Sequence, residues 1–190
     1  MPKLYIIAGC NGAGKTTVSY TVLPGMLHCK EFINADEIAR GISPFNVEKT
    51  AIAAGRIMLM RIKELTEARV DFALETTLAT RSYVPFVKYA QQKGYTVSLI
   101  YFWLNSPELA IQRVAERVAA GGHNIEEHII RRRYTKGIHN LFGLYMGIVD
   151  YWLLVDNSVS PFNIIAEKEK KKKIQIKNRL LYSTLENYGK

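Results

Sequence analysis

Short apolar runs alternate with longer amphipathic stretches along this chain. Leu4-Tyr5-Ile6-Ile7-Ala8 predicts a buried strand, and a helix is expected from about Lys15 to Leu23, broken at Pro24-Gly25. Glu31 to Asn34 reads as a short second strand ending at Ala35-Asp36. After a turn at Ser43-Pro44, Ile52, Ile57, Met58, Leu59, Ile62 and Leu65 recur at helical spacing and predict a helix over Val47 to Ala68. Asp71 to Thr76 is the third strand, and Ser82 to Gln92 a helix closed by Gly94. Tyr95 to Leu104 is the strongest strand, with Val97, Leu99, Ile100, Tyr101 and Phe102 in a nearly continuous apolar run. Ser106-Pro107-Glu108 starts a helix that stops at Gly121-Gly122, and a further helix from near Ile125 carries Arg131-Arg132-Arg133. Trp152 to Asp156 closes the series as a last parallel strand.

Strands alternating with helices predict an α/β fold: a five-stranded parallel sheet with helices on both faces. The tail differs. Asn163 to Ala166 and Ile174 to Ile176 flank a charged stretch, which reads as a hairpin followed by a helix near Leu180 to Asn187. The expected layout is one domain over 1–190, with a C-terminal extension over approximately 160–190 and no internal repeat or linker.

Composition narrows the partners. The chain has 190 residues, 48% hydrophobic, with 26 basic and 17 acidic side chains and a net charge of +9. That charge predicts an anionic partner without saying which. Lys170 to Lys173 fit a solvated hairpin tip better than a nucleic-acid patch. Cys10 and Cys29 are expected to be reduced thiols of a cytoplasmic protein. The first apolar run breaks at Gly9, so neither a leader nor a membrane span is expected.

The chemistry begins at Gly9-Cys10-Asn11-Gly12-Ala13-Gly14-Lys15-Thr16. Its spacing, G-x-x-x-x-G-K-T between a strand and a helix, is that of the phosphate-binding loop. The loop N–H groups and the helix N-terminus can wrap an anion, Lys15 can reach the β- and γ-phosphates, and the Thr16 hydroxyl can hold Mg²⁺. Ligands of such sheets bind beyond the carboxyl ends of the strands. That rule selects Asn34, Asp36, Glu75, Thr76, Thr77, Asn105, Asp156 and Asn157. Asp36 can orient or deprotonate an acceptor hydroxyl, or it can cap a helix turn. Glu75 can hold a substrate hydroxyl or a Mg²⁺-bound water, or bond neighbouring N–H groups. Arg113 and Arg117 share a helix face, and with the arginine triple across Gly121-Gly122-His123-Asn124 they outline a lid over approximately 110–135. His123 reads as a turn residue.

Gly9 to Thr17, Asn34-Ala35-Asp36-Glu37, Glu75-Thr76-Thr77, Arg113 to His123 and Arg131 to Tyr134, in this order, resemble the zeta-toxin-like kinases over roughly residues 3–160. The resemblance implies a P-loop kinase fold, ATP and Mg²⁺ as cofactors, and transfer of the γ-phosphate to the 3′-hydroxyl of the amino sugar in UDP-N-acetylglucosamine. It places Gly9, Asn11, Gly12, Ala13, Gly14, Lys15, Thr16 and Thr17 around ATP. Asp36 takes the base role, and Glu75, Thr76, Thr77 and Arg81 the substrate contacts. Mg²⁺ falls to Thr16, with Asp36 or Glu75 through water, and the transferred phosphate to Arg117, Arg132 and Arg133. It also implies an antitoxin protein as partner. The loop GCNGAGKTT is closer to the ABC-type GPNGAGKST, and the chain is shorter than the plasmid-borne toxins, so it looks like the compact chromosomal branch. Three other readings stand beside it: a kinase of another small molecule or nucleoside, an ABC- or AAA-type ATPase, and a nucleic-acid-binding module. No LSGGQ-like signature and no acidic pair after Asp156 support the ATPase.

Overall fold

The computed structural model describes residues 1–189. The elements run β1 (Lys3–Ala8), α1 (Lys15–Gly25), β2 (Glu31–Ile33), α2 (Ala35–Ile42), α3 (Val47–Ala68), β3 (Phe72–Thr76), α4 (Tyr83–Gln92) and β4 (Thr96–Trp103). There follow α5 (Pro107–Ala119), α6 (Glu127–Asn140), a π-helical turn (Leu141–Tyr145), β5 (Tyr151–Asp156), β6 (Asn163–Glu169), β7 (Gln175–Ile176) and α7 (Arg179–Gly189). Lys190, the end of the expected extension, lies outside the described residues.

Among the described residues the strands form one seven-stranded sheet in the order β2-β3-β1-β4-β5-β6-β7. The five expected strands are parallel to one another. The expected count of five is corrected to seven, because the tail hairpin joins the sheet. β6 pairs antiparallel with β5 from Tyr151↔Glu169 to Asp156↔Asn163, and β7 pairs with β6. Ile165 and Ala166 of β6 are buried, which seats the hairpin on the edge of the core.

The central strands are mostly apolar, as strands buried within a helix-covered sheet are. Leu4, Ile6, Leu74, Val97, Leu99 and Leu154 are each 0% exposed. Fully burying such a side chain contributes about 1.5–3 kcal/mol relative to leaving it in water. β1 lies between β3 and β4, and the register opposes Ile7 to Glu75, Ala8 to Thr76 and Ile33 to Leu74. The carboxyl ends of β1, β2 and β3 therefore open on one spot, with Glu75 emerging where the glycine loop begins.

α2 is the short element that the sequence left open. Asn34 caps it, its Oδ1 accepting from the N–H of Asp36 (2.8 Å) and of Glu37 (3.4 Å). The capping role weighed for Asp36 thus belongs to Asn34, and the Asp36 carboxylate is left for other contacts.

Candidate active site

The loop from Gly9 to Gly14 is held from several sides. A Cβ on Gly9, whose φ is +142°, would lie 2.2 Å from the Phe102 carbonyl oxygen, so only glycine lets the loop leave β1 against β4. Asn157 Nδ2 donates to the Ala13 carbonyl at 2.9 Å. Arg113 in turn donates to the carbonyls of Asn157 (2.8 Å) and Ser158 (3.2 Å). Asp156 accepts from the N–H and hydroxyl of Ser158, which makes it a brace of this turn. Burial pushes the Cys10 thiol up to about 11, with Lys15 opposing, so it stays protonated at neutral pH; both cysteines are free thiols.

At the N-terminus of α1, Gly14 supplies no side-chain cap, whereas Asn34 and Ser106 cap α2 and α5. The first N–H groups of α1 are thus left without a side-chain acceptor, an arrangement suited to an anion. Lys15 is buried, with Nζ bonded to the Cys10 carbonyl at 3.0 Å and 3.4 Å from Glu75 Oε1. The Thr16 hydroxyl donates to Glu75 Oε2 at 2.7 Å, and Asn34 Nδ2 donates to the same oxygen at 3.0 Å. Among the described residues no group of three or more His, Cys, Asp or Glu side chains could hold a metal ion. One hydroxyl and one carboxylate beside an anion cradle nevertheless fit magnesium, which takes few protein ligands and completes its shell with phosphate oxygens and water. Thr17 is exposed on the first turn of α1.

A cavity of about 160 Å³ opens over this cluster, lined by Asn11, Lys15, Asn34, Asp36, Glu75 and Arg133 together with Thr76, Thr77, Met58 and Tyr83. A larger groove of about 700 Å³ lies on the outer side of β2 between α1 and α3, but the phosphate loop does not face it. Chemistry rather than volume marks the site. The Thr76 hydroxyl accepts from the N–H of Leu78, shaping the turn after β3.

The arginines separate. Arg133 Nη1 donates to Asn11 Oδ1 at 3.1 Å, so this member of the triple meets the phosphate loop. Burial lowers its pKa and the Asp36 charge opposes that, so both groups share one field. Gly137 lies one turn beyond, where a Cβ would sit 2.7 Å from the Thr77 carbonyl oxygen; this close approach seats α6 against the site. Arg131 is tied to Glu108 and Glu127 at the surface, and Arg132 is exposed. The structure thus brings Arg133, and not Arg132, to the site, because consecutive residues point apart on a helix. Arg117 is engaged within the α5–α6 turn, where Nη2 donates to the His123 carbonyl at 3.1 Å. Arg81 is exposed before α4 and does not line the cavity.

Asn34, which bonds Glu75 and caps α2, and Asn157, which bonds the loop, are side chains that sequence reasoning named only as strand-end residues. Their position after β2 and β5 was the one available signal.

A parallel sheet with this strand order, a glycine loop between β1 and α1 and a carboxylate at the end of β3 define a P-loop kinase fold. Within that class the chain matches the zeta toxin family over residues 1–144 and belongs to it. An uncharacterized protein of Haemophilus influenzae is 32% identical over 132 residues, which is 70% of this chain and 92% of that one. Among solved structures, the AvrRxo1-ORF1:-ORF2 complex with ATP superposes with a TM-score of 0.81 at 13% identity, covering 97% of this chain and 63% of that chain. The chain therefore spans less than two thirds of that neighbour. The PezAT chromosomal toxin-antitoxin system of Streptococcus pneumoniae gives a TM-score of 0.69 at 16% identity, covering 99% and 84%. No described helix is long and apolar enough to cross a membrane.

Proposed function

We propose that this protein is an ATP-dependent small-molecule kinase that phosphorylates a hydroxyl of a UDP-N-acetylhexosamine, with UDP-N-acetylglucosamine the first acceptor to test. The observation that carries the reading is the Lys15–Glu75–Thr16 cluster at the loop mouth, with Asp36 and Arg133 lining the same cavity. An AvrRxo1 complex that holds ATP supports the nucleotide, and the zeta toxin family supports the reaction type. The PezAT neighbour, a toxin-antitoxin system, supports an antitoxin as partner.

Thr16 and Glu75 would hold magnesium, which when bound neutralises charge on the β- and γ-phosphates. The loop N–H groups and Lys15 orient the triphosphate. Asp36 accepts the proton of the acceptor hydroxyl as that oxygen bonds to the γ-phosphorus, while the bond from the γ-phosphorus to the bridging oxygen breaks and ADP leaves. Arg133 stabilises charge developing on the transferred group. Because such transfer is largely dissociative, positioning by Asp36 contributes alongside proton acceptance.

The test is incubation with ATP and Mg²⁺ against a panel of UDP-sugars, nucleosides and free sugars, read by product mass spectrometry. A UDP-sugar carrying one added phosphate is expected. A phosphorylated product from a nucleoside or free sugar alone would move the acceptor assignment to another small molecule and keep the kinase.

A further inference from the structure

The turn between α5 and α6 brings one more titratable group to the site. The His123 side chain is only 14% exposed, and its Nε2 lies 3.9 Å from Oδ2 of Asp36, whose own side chain is 49% exposed. The charged groups facing His123 come from three elements: Asp36 and Arg40 of α2, Glu48 of α3 and Arg117 of α5. Burial outweighs the two carboxylates and keeps the imidazole below its ordinary pKa, hence neutral at pH 7. A neutral imidazole carries one N–H and one lone pair, and its partners decide which nitrogen holds the proton.

Two buried atoms at this turn have no hydrogen-bond partner: Nδ1 of His123 and Nε of Arg117, which lies in the last turn of α5. They are complementary, since Arg117 Nε can only donate and Nδ1 of a neutral ring can accept. The Arg117 guanidinium is already fixed on the His123 carbonyl. Pairing the two orphans would put the ring proton on Nε2, the nitrogen 3.9 Å from Asp36 Oδ2.

We propose that His123 is a positioning residue for Asp36. With Nδ1 held by Arg117, it presents Nε2–H to Oδ2 and leaves Oδ1 for the acceptor hydroxyl. The cavity of about 450 Å³ beside this contact, lined by Asp36, Glu48, His123, Asn124 and Arg133, places the pair on the acceptor side of the site. The turn thus completes the base as it docks on α2. The inference rests on Asp36 being the base in the reading above.

The experiment compares three variants at His123 with ATP, Mg²⁺ and UDP-N-acetylglucosamine. His123→Gln offers an N–H near the Nε2 position, His123→Asn offers one near Nδ1, and His123→Ala offers neither. His123→Ala is expected to lower kcat by about 10²-fold with KM for ATP within about twofold, the pattern of a misplaced catalytic group. Gln should recover most of that loss and Asn should not. His128→Ala, an exposed histidine of α6, serves as control. Equal behaviour of Asn and Gln, or an Ala variant as fast as wild type, overturns the proposal. Imidazole ¹⁵N shifts give a readout that needs no acceptor. The Nε2–H tautomer is expected in wild type, with the Nε2 shift moved in Asp36→Ala by loss of the carboxylate acceptor, and identical shifts in the two proteins also overturn it. A wild type that phosphorylates nothing yet shows the Asp36-dependent Nε2 shift ends the kinase reading and leaves the contact standing.

Discussion

The two walls of the central cavity rest on different support. On the nucleotide side Asn11, Ala13 and Lys15 are buried, side chains of Asn157 and Arg133 tie the loop to the turn after β5 and to α6, and Arg113 of α5 bonds that turn in its own right. On the acceptor side Asp36 is half exposed, α2 has Ala39 as its one buried residue, and Ile42, Phe45 and Ile52 face solvent. One wall is part of the core; the other is assembled from surface. In the proposed reading triphosphate binding rests on the folded core, while the acceptor wall is drawn from the less stable part of the molecule. Substitutions on the two sides should separate accordingly.

The largest separation is expected at Asp36. Asp36→Asn should reduce kcat by about 10²–10⁴-fold, the range for general base catalysis, with ATP affinity unchanged. Isothermal titration with a non-hydrolysable ATP analogue checks the affinity. Recovery of the rate by excess Mg²⁺ would assign Asp36 to the metal instead. Lys15→Ala, on the core side, should lose about 10²–10³-fold in kcat and weaken ATP binding as well. A folded variant with wild-type ATP affinity would break the contrast. Arg133 sits between the walls, so Arg133→Ala should lower kcat by about 10²-fold and raise KM for ATP much less. Arg132→Ala should match wild type, and equal losses at the two positions would refute the choice between them. The smallest effect is expected at Asn157, where Ala removes the bond to the Ala13 carbonyl. The cost is about 1 kcal/mol, or roughly 2–4 °C in Tm for a chain of this size. An unchanged melting curve would show that the turn after β5 does not brace the loop.

Legibility follows the same division. Gly9 to Thr17 is contiguous, and the Val97 to Phe102 run is apolar but for Ser98, so loop and central strands could be read from local pattern. α2 is eight residues long, too short to announce itself by periodicity. Asn34 caps α2 and also donates to Glu75, 41 positions away, a pairing no local window contains. The arginine triple named three candidates, and the phase of α6 against Thr77, set by Gly137, selects one. The tail hairpin was readable, with Lys170 and Lys172 bonded to Asp150 and Glu169 around its tip, but its attachment to β5 was not. Nothing in the sequence pointed to the π-helical turn at Leu141–Tyr145.

The place of β1 in the sheet has a consequence for how the chain is made. Among the strands of this sheet β1 is synthesised first, yet both of its neighbours, β3 (Phe72–Thr76) and β4 (Thr96–Trp103), come much later in the chain. Until Trp103 has left the ribosome, the apolar Leu4 to Ala8 segment has an unpaired edge on at least one side. A nascent chain stalled before that point carries the complete glycine motif but cannot hold it in shape. Nucleotide binding should therefore switch on late in translation, and the exposed segment before then is a natural client for chaperones that bind extended apolar peptides.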